Sequence, residues 1–426
     1  MSVQLITPEM RANFRHLYAD VFWFGVLAGS TMAFLGVFAA RQGASSFQVS
    51  LLSAGPGFVN LLFSMPAGRW LEGRPLIGTS FWSSVWHRLG YLVLIPLPWL
   101  LSTSEQVWSI SIIILLISVP GTLLAIAFNA MFAEVVAPEW RAQVVGKRNA
   151  LLSISMTATS LLSGQVLDQF DFPGNYQLVF AAGALGAIMS CYHLGRIRTV
   201  SESPVRVWGL LLDFARPGMY RIVDAFRVPL GLRFLARSGG RSLLRLELLR
   251  SAYGPFMLAF LLFYIAQYTS IPLYPIFFVR DLNLSDGQIS VGSALFYGAM
   301  FLVSMGFSRV TRLGHRKVLV IGALLYGSYP LLNYFTTGPV LYWIASLTGG
   351  SVWALTNAGL INRLMERVPE DDRPAHMALH NLVLNIGILA GSLLGPLIAH
   401  WLSVRDALLV NAVMRLFAGV LLAIFG

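Results

Sequence analysis

The sequence predicts an all-α polytopic membrane protein, with twelve transmembrane helices in two pseudo-symmetric six-helix bundles. Three observations carry that reading. First, 56% of the 426 residues are hydrophobic and only 12% are charged, with a mean hydropathy of +0.69; soluble proteins carry about 25% charged residues. That deficit leaves too little polar surface to cover a water-soluble globule. Second, apolar stretches of spanning length recur along the whole chain. Third, 26 Lys and Arg fall in one alternating set of connecting segments and three in the other. A soluble enzyme and a disordered scaffold are excluded on these grounds. A disulfide framework is excluded too, because Cys191 is the only cysteine.

A helix needs about 20 mostly apolar residues to cross the hydrocarbon core. Such stretches cover residues 14–40, 47–68, 80–101, 107–133, 149–168, 174–195, 251–279, 287–307, 317–335, 339–362, 377–400 and 404–426. Backbone groups in lipid must be satisfied within the segment, which makes these helices. The alternating pattern of a β-barrel does not occur. Glu9 and Arg11 precede the first stretch, which is too long for the apolar part of a cleavable signal.

Orientation follows from the basic residues. With the N-terminus inside, two precede the first helix and three, three, eleven, four and three occupy successive inner segments. Outside stand Arg41, Arg280 and Arg405. This asymmetry predicts a multi-pass protein of the cell (inner) membrane with both termini cytoplasmic. Trp70, Trp99, Trp108, Trp140, Trp343 and Trp401 lie near helix ends, where an interfacial belt would place them. The net charge of +11 is thus a topology signal. Scattered along one rim, it does not point to nucleic acid.

The longest segment without a span, 196–250, separates a first six-helix bundle (1–195) from a second (251–426). Its eleven arginines are interleaved with Leu, Val and Phe, as in an amphipathic helix lying on an anionic inner leaflet. The two halves repeat in order. Gln48-Val49-Ser50 matches Gln288-Ile289-Ser290, and Arg69 with Gly73-Arg74 matches Arg309 with Gly314-His315-Arg316-Lys317. Pro138-Glu139-Trp140-Arg141 matches Pro369-Glu370-Asp371-Asp372-Arg373, and in both an Asn (Asn149, Asn381) follows the Arg by eight residues. The offset stays between 231 and 241. A repeat of unchanged topology is the parallel type, related by an axis along the membrane normal.

On these residues the chain resembles the major facilitator superfamily over essentially its whole length. That family's signature loop, between its second and third spans, reads Gly-x-x-x-Asp-Arg-x-Gly-Arg-Arg. Here the second-half copy is the better one, Thr311-Arg312-Leu313-Gly314-His315-Arg316-Lys317, with Thr in place of the acid. The first, Arg69-Trp70-Leu71-Glu72-Gly73-Arg74, keeps the Gly-Arg pair and has Glu72 nearby. The resemblance implies two bundles that rock about a central cavity lined by the first, fourth, seventh and tenth helices. The acid that latches a helix in that family is missing from both copies. The drug-exporter motifs are absent as well, so no subfamily follows.

Gln267 and Tyr268 lie midway along the seventh stretch and Asn357 two-thirds through the tenth. The resemblance makes them candidate solute ligands, since an amide offers both donors and an acceptor. The alternative is an interhelical bond of about 0.6 kcal/mol. The hydroxyls of the fifth stretch (Ser153, Ser155, Thr157, Thr159, Ser160 and Ser163) and Gln165 favour close helix packing. Gly55-Pro56-Gly57, Pro120-Gly121 and Gly349-Gly350 are expected to interrupt the second, fourth and tenth stretches. Asp20, the only carboxylate on the first stretch, is a coupling site, half of an inner gate, or a plain partner of Arg15 or His16. Arg415 stands as the one strong charge near the middle of a span and needs a polar partner, for which Asn411 is one turn away. Arg141, Arg373, Asn149, Asn381, Arg312 and Gly314, in repeated inner loops, are candidate gating residues.

No cofactor, metal or ATP is expected. No metal site is read among the seven histidines, and no phosphate-cradling loop occurs. Without paired carboxylates, an activated nucleophile or a metal cluster, the chain does not read as an enzyme. The expectation is a monomeric secondary active transporter or facilitator, moving a small solute by alternating access, with a proton or another ion as candidate coupling partner. Its rival is a non-transporting sensor or assembly factor of the same fold.

Overall fold

The computed structural model describes residues 7–71, 74–198, 246–251, 253–310, 314–368 and 373–426. Arg312 and residues 199–245 of the basic linker lie outside the described residues. Every expected stretch is helical. The twelve are α1 (Pro8–Arg41, with a π-helical turn at Ala28–Met32), α2 (Ser46–Leu71), α3 (Leu76–Leu89, continuing as Gly90–Leu94 and Leu97–Leu100), α4 (Thr103–Val135), α5 (Pro138–Gln169), α6 (Gly174–Leu194), α7 (Tyr253–Asp281), α8 (Asp286–Val310), α9 (His315–Leu325 and Ser328–Phe335), α10 (Pro339–Arg367), α11 (Arg373–Trp401) and α12 (Val404–Phe425). Ten are individually long and apolar enough to cross a membrane. The exceptions are α3, which is broken, and α10, whose apolar run is diluted by Thr348-Gly349-Gly350-Ser351 and Thr356-Asn357. Among the described residues there is no strand.

Helix starts explain part of the sequence repeat. At α2 the backbone N–H of Ser45 donates to Gln48 Oε1 (2.8 Å) and that of Gln48 to Ser45 Oγ (3.3 Å). At α8 Ser285 and Gln288 exchange the same pair of bonds, each at 3.1 Å. Both are Ser-x-x-Gln capping boxes, which satisfy otherwise orphaned N–H groups. The following residues, Val49 and Ile289, are buried. At α1, Thr7 accepts from Met10 N, Pro8 opens the helix, and Glu9 faces the positive end of its dipole.

Several helices outrun the apolar stretches. Pro138-Glu139-Trp140-Arg141 forms the first turn of α5 and Arg373 starts α11. Lipid thickness sets a minimum length, and Pro at the first position with an acid beside it lets the helix begin earlier in water. The expected breaks are also displaced. α2, α4 and α10 run on through Gly55-Pro56-Gly57, Pro120-Gly121 and Gly349-Gly350. Their glycines serve close approach: a Cβ on Gly350 would strike the Phe296 carbonyl of α8, and one on Gly121 would meet His87 Nδ1 at 2.8 Å. The real interruptions fall in α3, α9, the π turn of α1 and Ser270–Pro272 of α7.

The chain divides into two compact units, Met1–Phe34 with Leu62–Val228, and Leu35–Leu61 with Pro229–Gly426. The end of α1 and the first part of α2 therefore pack with the second half. In the first unit, Met10, Phe14 and Leu17 of α1 pack with Met131 and Val135 of α4 and Leu194 of α6. In the second, Phe256, Phe260 and Phe263 of α7 form the core with α9, α10, α11 and α12. α5 carries its hydroxyls inward as expected: Ser155 Oγ donates to the Phe22 carbonyl (2.7 Å), and a Cβ on Gly29 would lie 2.6 Å from the Met156 carbonyl oxygen. Leu116, Leu162, Leu302, Val413 and Phe417 are more than half of their surface exposed or close to it, as suits an apolar surface in lipid.

Candidate functional site

The first unit holds charge within its helices. Asp20 of α1 is fully buried, at 0% exposure. Arg88 Nη1 donates to Asp20 Oδ1 at 2.7 Å and reaches Ser190 Oγ of α6 at 2.6 Å. Ser190 Oγ in turn lies 2.7 Å from Asp20 Oδ1 and 2.8 Å from the Asp20 carbonyl. Arg148 Nη2 of α5 approaches the other carboxylate oxygen at 3.5 Å. Four helices thus meet at one carboxylate. The expected pairing with Arg15 or His16 is not formed; Asp20 turns inward, because only Arg88 and Arg148 present guanidinium donors inside the packed unit. Arg88 stands in the last turn of Leu76–Leu89, where α3 breaks. There a cation also suits the negative end of the helix dipole.

Asp20 belongs to a polar ladder between antiparallel α1 and α6. Asn13 Nδ2 donates to the Arg198 carbonyl (2.8 Å) and Asn13 Oδ1 accepts from Arg198 N (3.0 Å). One turn on, His16 Nδ1 faces His193 Nδ1 at 3.1 Å, a separation at which one nitrogen carries the proton and the other receives it. The Asp20–Ser190 pair follows. Beyond it the polar pairs give way to close packing: a Cβ on Gly186 would lie 2.8 Å from the Trp23 carbonyl oxygen.

In the second unit Arg415 of α12 is buried and answers the break in α7. Its Nη2 donates to the Gln267 carbonyl (2.9 Å) and to Ser270 Oγ (2.8 Å), and its Nη1 to the Tyr326 carbonyl (3.2 Å). The final carbonyls of a helix lack intrahelical donors, and in lipid no water can serve them. Asn411 does not pair with Arg415; both reach the Ala266 carbonyl, Asn411 Nδ2 at 2.7 Å. Arg415 is a buried helix cap. Arg415→Met is expected to lower the thermal unfolding midpoint in detergent, at a cost of about 2–4 kcal/mol. Arg415→Lys is expected to recover part of that loss, since an ammonium reaches fewer carbonyls than the fork.

The remaining candidates scatter. Gln267 is buried, and its Oε1 accepts no hydrogen bond among the described residues. Tyr268 is half-buried beside it. Asn357 Nδ2 donates to the Trp353 carbonyl of its own helix (3.1 Å), so its amide bonds within α10. Arg141 bonds the end of α4, Nε to the Val136 carbonyl (2.9 Å) and Nη2 to that of Ala133 (2.5 Å). Asn149 and Asn381 are exposed. Gly314 precedes α9 at φ +90°, a conformation that favours glycine. Among the described residues no group of His, Cys, Asp and Glu has the placement of a metal site.

A second constellation was not read from the sequence. Within the second unit, Arg41 at the end of α1 donates Nε to Asp286 Oδ1 (2.9 Å) and Nη2 to the Leu284 carbonyl (2.8 Å). Reciprocally, Arg280 at the end of α7 donates Nη2 to the carbonyls of Ala44 (2.7 Å) and Ala40 (3.3 Å). Leu284 and Ala44 are equivalent under the repeat, 240 residues apart. The α1–α2 and α7–α8 corners therefore clasp each other with near two-fold symmetry. Ser50 Oγ of α2 also donates to the Ser392 carbonyl of α11.

These features define a twelve-span helical membrane protein with duplicated halves and charged groups inside the spans. Residues 256–426 match the model of the Major Facilitator Superfamily. Solved structures share the fold along the chain's whole length. The nucleoside transporter NupG (D323A mutant) superposes with a TM-score of 0.68 at 12% identity, over 97% of this chain and 99% of that one. A POT family transporter in complex with 5-aminolevulinic acid gives 0.68 and 12%, over 97% and 95%. A D-xylose-proton symporter gives 0.66 and 14%, over 97% of each chain. No curated protein matches the sequence.

Proposed function

We propose that the chain is a secondary active transporter or facilitator that moves a small solute across the cell (inner) membrane by alternating access. The two bundles, 1–195 and 251–426, rock about a central site, with the termini on the cytoplasmic side. The observation that carries the reading is the reciprocal arginine clasp. Repeat-related corners are joined by hydrogen bonds to carbonyls and one ion pair, contacts that water can replace on opening. All of these residues lie within the second compact unit, beside an apolar core built by α7 with α9, α10, α11 and α12. The fold relatives are described as a nucleoside transporter, a peptide transporter and a D-xylose-proton symporter, which supports solute movement without choosing the solute.

Gln267, Tyr268 and Asn357 are the proposed solute contacts on α7 and α10, with the free Oε1 of Gln267 as an available acceptor. Arg141, Arg373, Asn149, Asn381, Arg312 and Gly314 remain the proposed inner gating set, although the contacts of Arg141 are those of a helix cap. A coupling role for Asp20 requires that its pairing with Arg88 open during the cycle. Purified protein in liposomes tests the reading. Accumulation or exchange of a solute above protein-free vesicles is expected. Ligand binding without any flux would replace the reading with the sensor or assembly role.

A further inference from the structure

We infer that the first unit recognises an anionic group, a carboxylate or phosphate carried by a small organic solute, at the guanidinium of Arg148. Transport of that solute rests on the reading above; its binding rests on charge balance alone.

Asp20, Arg88 and Arg148 bring two guanidiniums to one carboxylate, an excess of one positive charge. The side chains of Asp20 and Arg88 are 0% and 7% exposed, so water hardly screens that excess. An unmatched charge buried among helices is costly, and buried charges are ordinarily matched by counter-charges. The shortfall is not shared equally. Arg88 has Asp20 at 2.7 Å with Ser190 closing the triangle. Arg148 has the same carboxylate at 3.5 Å as its only described hydrogen bond, and its Nε is buried without a partner. A guanidinium carries five donors, so most of this one's capacity is unused.

Arg148 is also the member a ligand can reach, with 16% of its side chain exposed. It lies over the ring of Phe128 at 4.4 Å, with Phe132 at 5.8 Å. The planar fork matches carboxylate and phosphate geometry bidentately. The two phenyl rings suit an anion mounted on an apolar or aromatic body. Lys147, over Tyr18 at 4.8 Å, adds positive potential beside it. An incoming anion supplies the missing negative charge and frees Asp20 for Arg88.

Full-length protein in detergent is titrated with phenylacetate and with its neutral isostere phenylacetamide, following the thermal midpoint by tryptophan fluorescence. Phenylacetate is expected to raise the midpoint with concentration, and phenylacetamide to leave it unchanged. Arg148→Gln is expected to weaken the phenylacetate response about tenfold or more, and Lys147→Gln much less. Arg148→Lys, which keeps the charge and loses the fork, is expected to retain part of it. That variant carries the test if the Gln variant does not fold. An equal response to phenylacetamide, or a phenylacetate response unchanged in both Arg148 variants, overturns the anion site. Liposome flux is a separate readout: anion binding without flux removes transport and keeps the site, whereas flux without an anion response does the reverse.

Discussion

Asp20→Ala is expected to destabilise the protein by about 3–5 kcal/mol, the usual consequence of removing one partner from a buried ion pair. The loss arises from what remains. Arg88, 7% exposed, would keep its charge beside Ser190 with no carboxylate to answer it. Arg148 would lose its single described hydrogen bond at the same time. Asp20→Asn keeps an acceptor for Arg88 but removes the charge, so a smaller loss of the same sign is expected. The matched double variant Asp20→Leu with Arg88→Met removes both charges and is expected to regain most of the stability, because an apolar pair of similar volume often equals a buried salt bridge. Thermal unfolding in detergent for Asp20→Leu, Arg88→Met and the double gives the coupling directly. Additive losses would show that Asp20 and Arg88 act independently. A coupling assay on Asp20→Asn is therefore interpretable only beside its stability, since a loss of uphill transport also follows from a loosened fold.

The helical spans and the repeat were legible because they depend on composition and on local rules. The hydrophobic stretches needed only the thickness of a bilayer. The matching Gln48 and Gln288 were visible as a repeat, though their cause, two capping boxes closed with Ser45 and Ser285, came from the structure. What stayed hidden depends on which helices become neighbours. Arg88 is close to the start of the stretch read as 80–101, and was counted with the inner rim. In the folded unit α3 begins at Leu76, so Arg88 lies in the last turn before its break, against Asp20. One signal was available: a carboxylate on an apolar helix needs an internal cation, and Arg88 is the one basic residue inside the stretch 80–101. The expected kinks failed for a related reason. Glycine beside proline marks either a bend or a close approach, and only a neighbouring backbone, such as Phe296 against Gly350, decides between them.

Removing both clasp arginines, Arg41→Ala with Arg280→Ala, is expected to shift the α1–α2 and α7–α8 corners from clasped toward separated by roughly thirtyfold. Each arginine gives hydrogen bonds to carbonyls, Arg41 adds the Asp286 ion pair, and each is worth about 1 kcal/mol net where water competes. Two such losses amount to about 2 kcal/mol, and a population ratio changes tenfold for every 1.4 kcal/mol. The measurement is favoured by the sequence, because Cys191 is the only native cysteine and is buried. Ser50→Cys places a near-isosteric thiol at a position with 0% exposure, where α2 meets α11. With both arginines present, an impermeant maleimide applied outside the cell should label that thiol slowly. In the double variant, labelling should be about thirtyfold faster, and each single variant should fall between the two on a logarithmic scale. The symmetry of the contacts predicts comparable effects for the two singles, since Arg41 reaches Leu284 as Arg280 reaches Ala44. Labelling unchanged by the double substitution would reduce the clasp to two helix caps that happen to face each other, and would remove the observation on which the alternating-access reading chiefly rests.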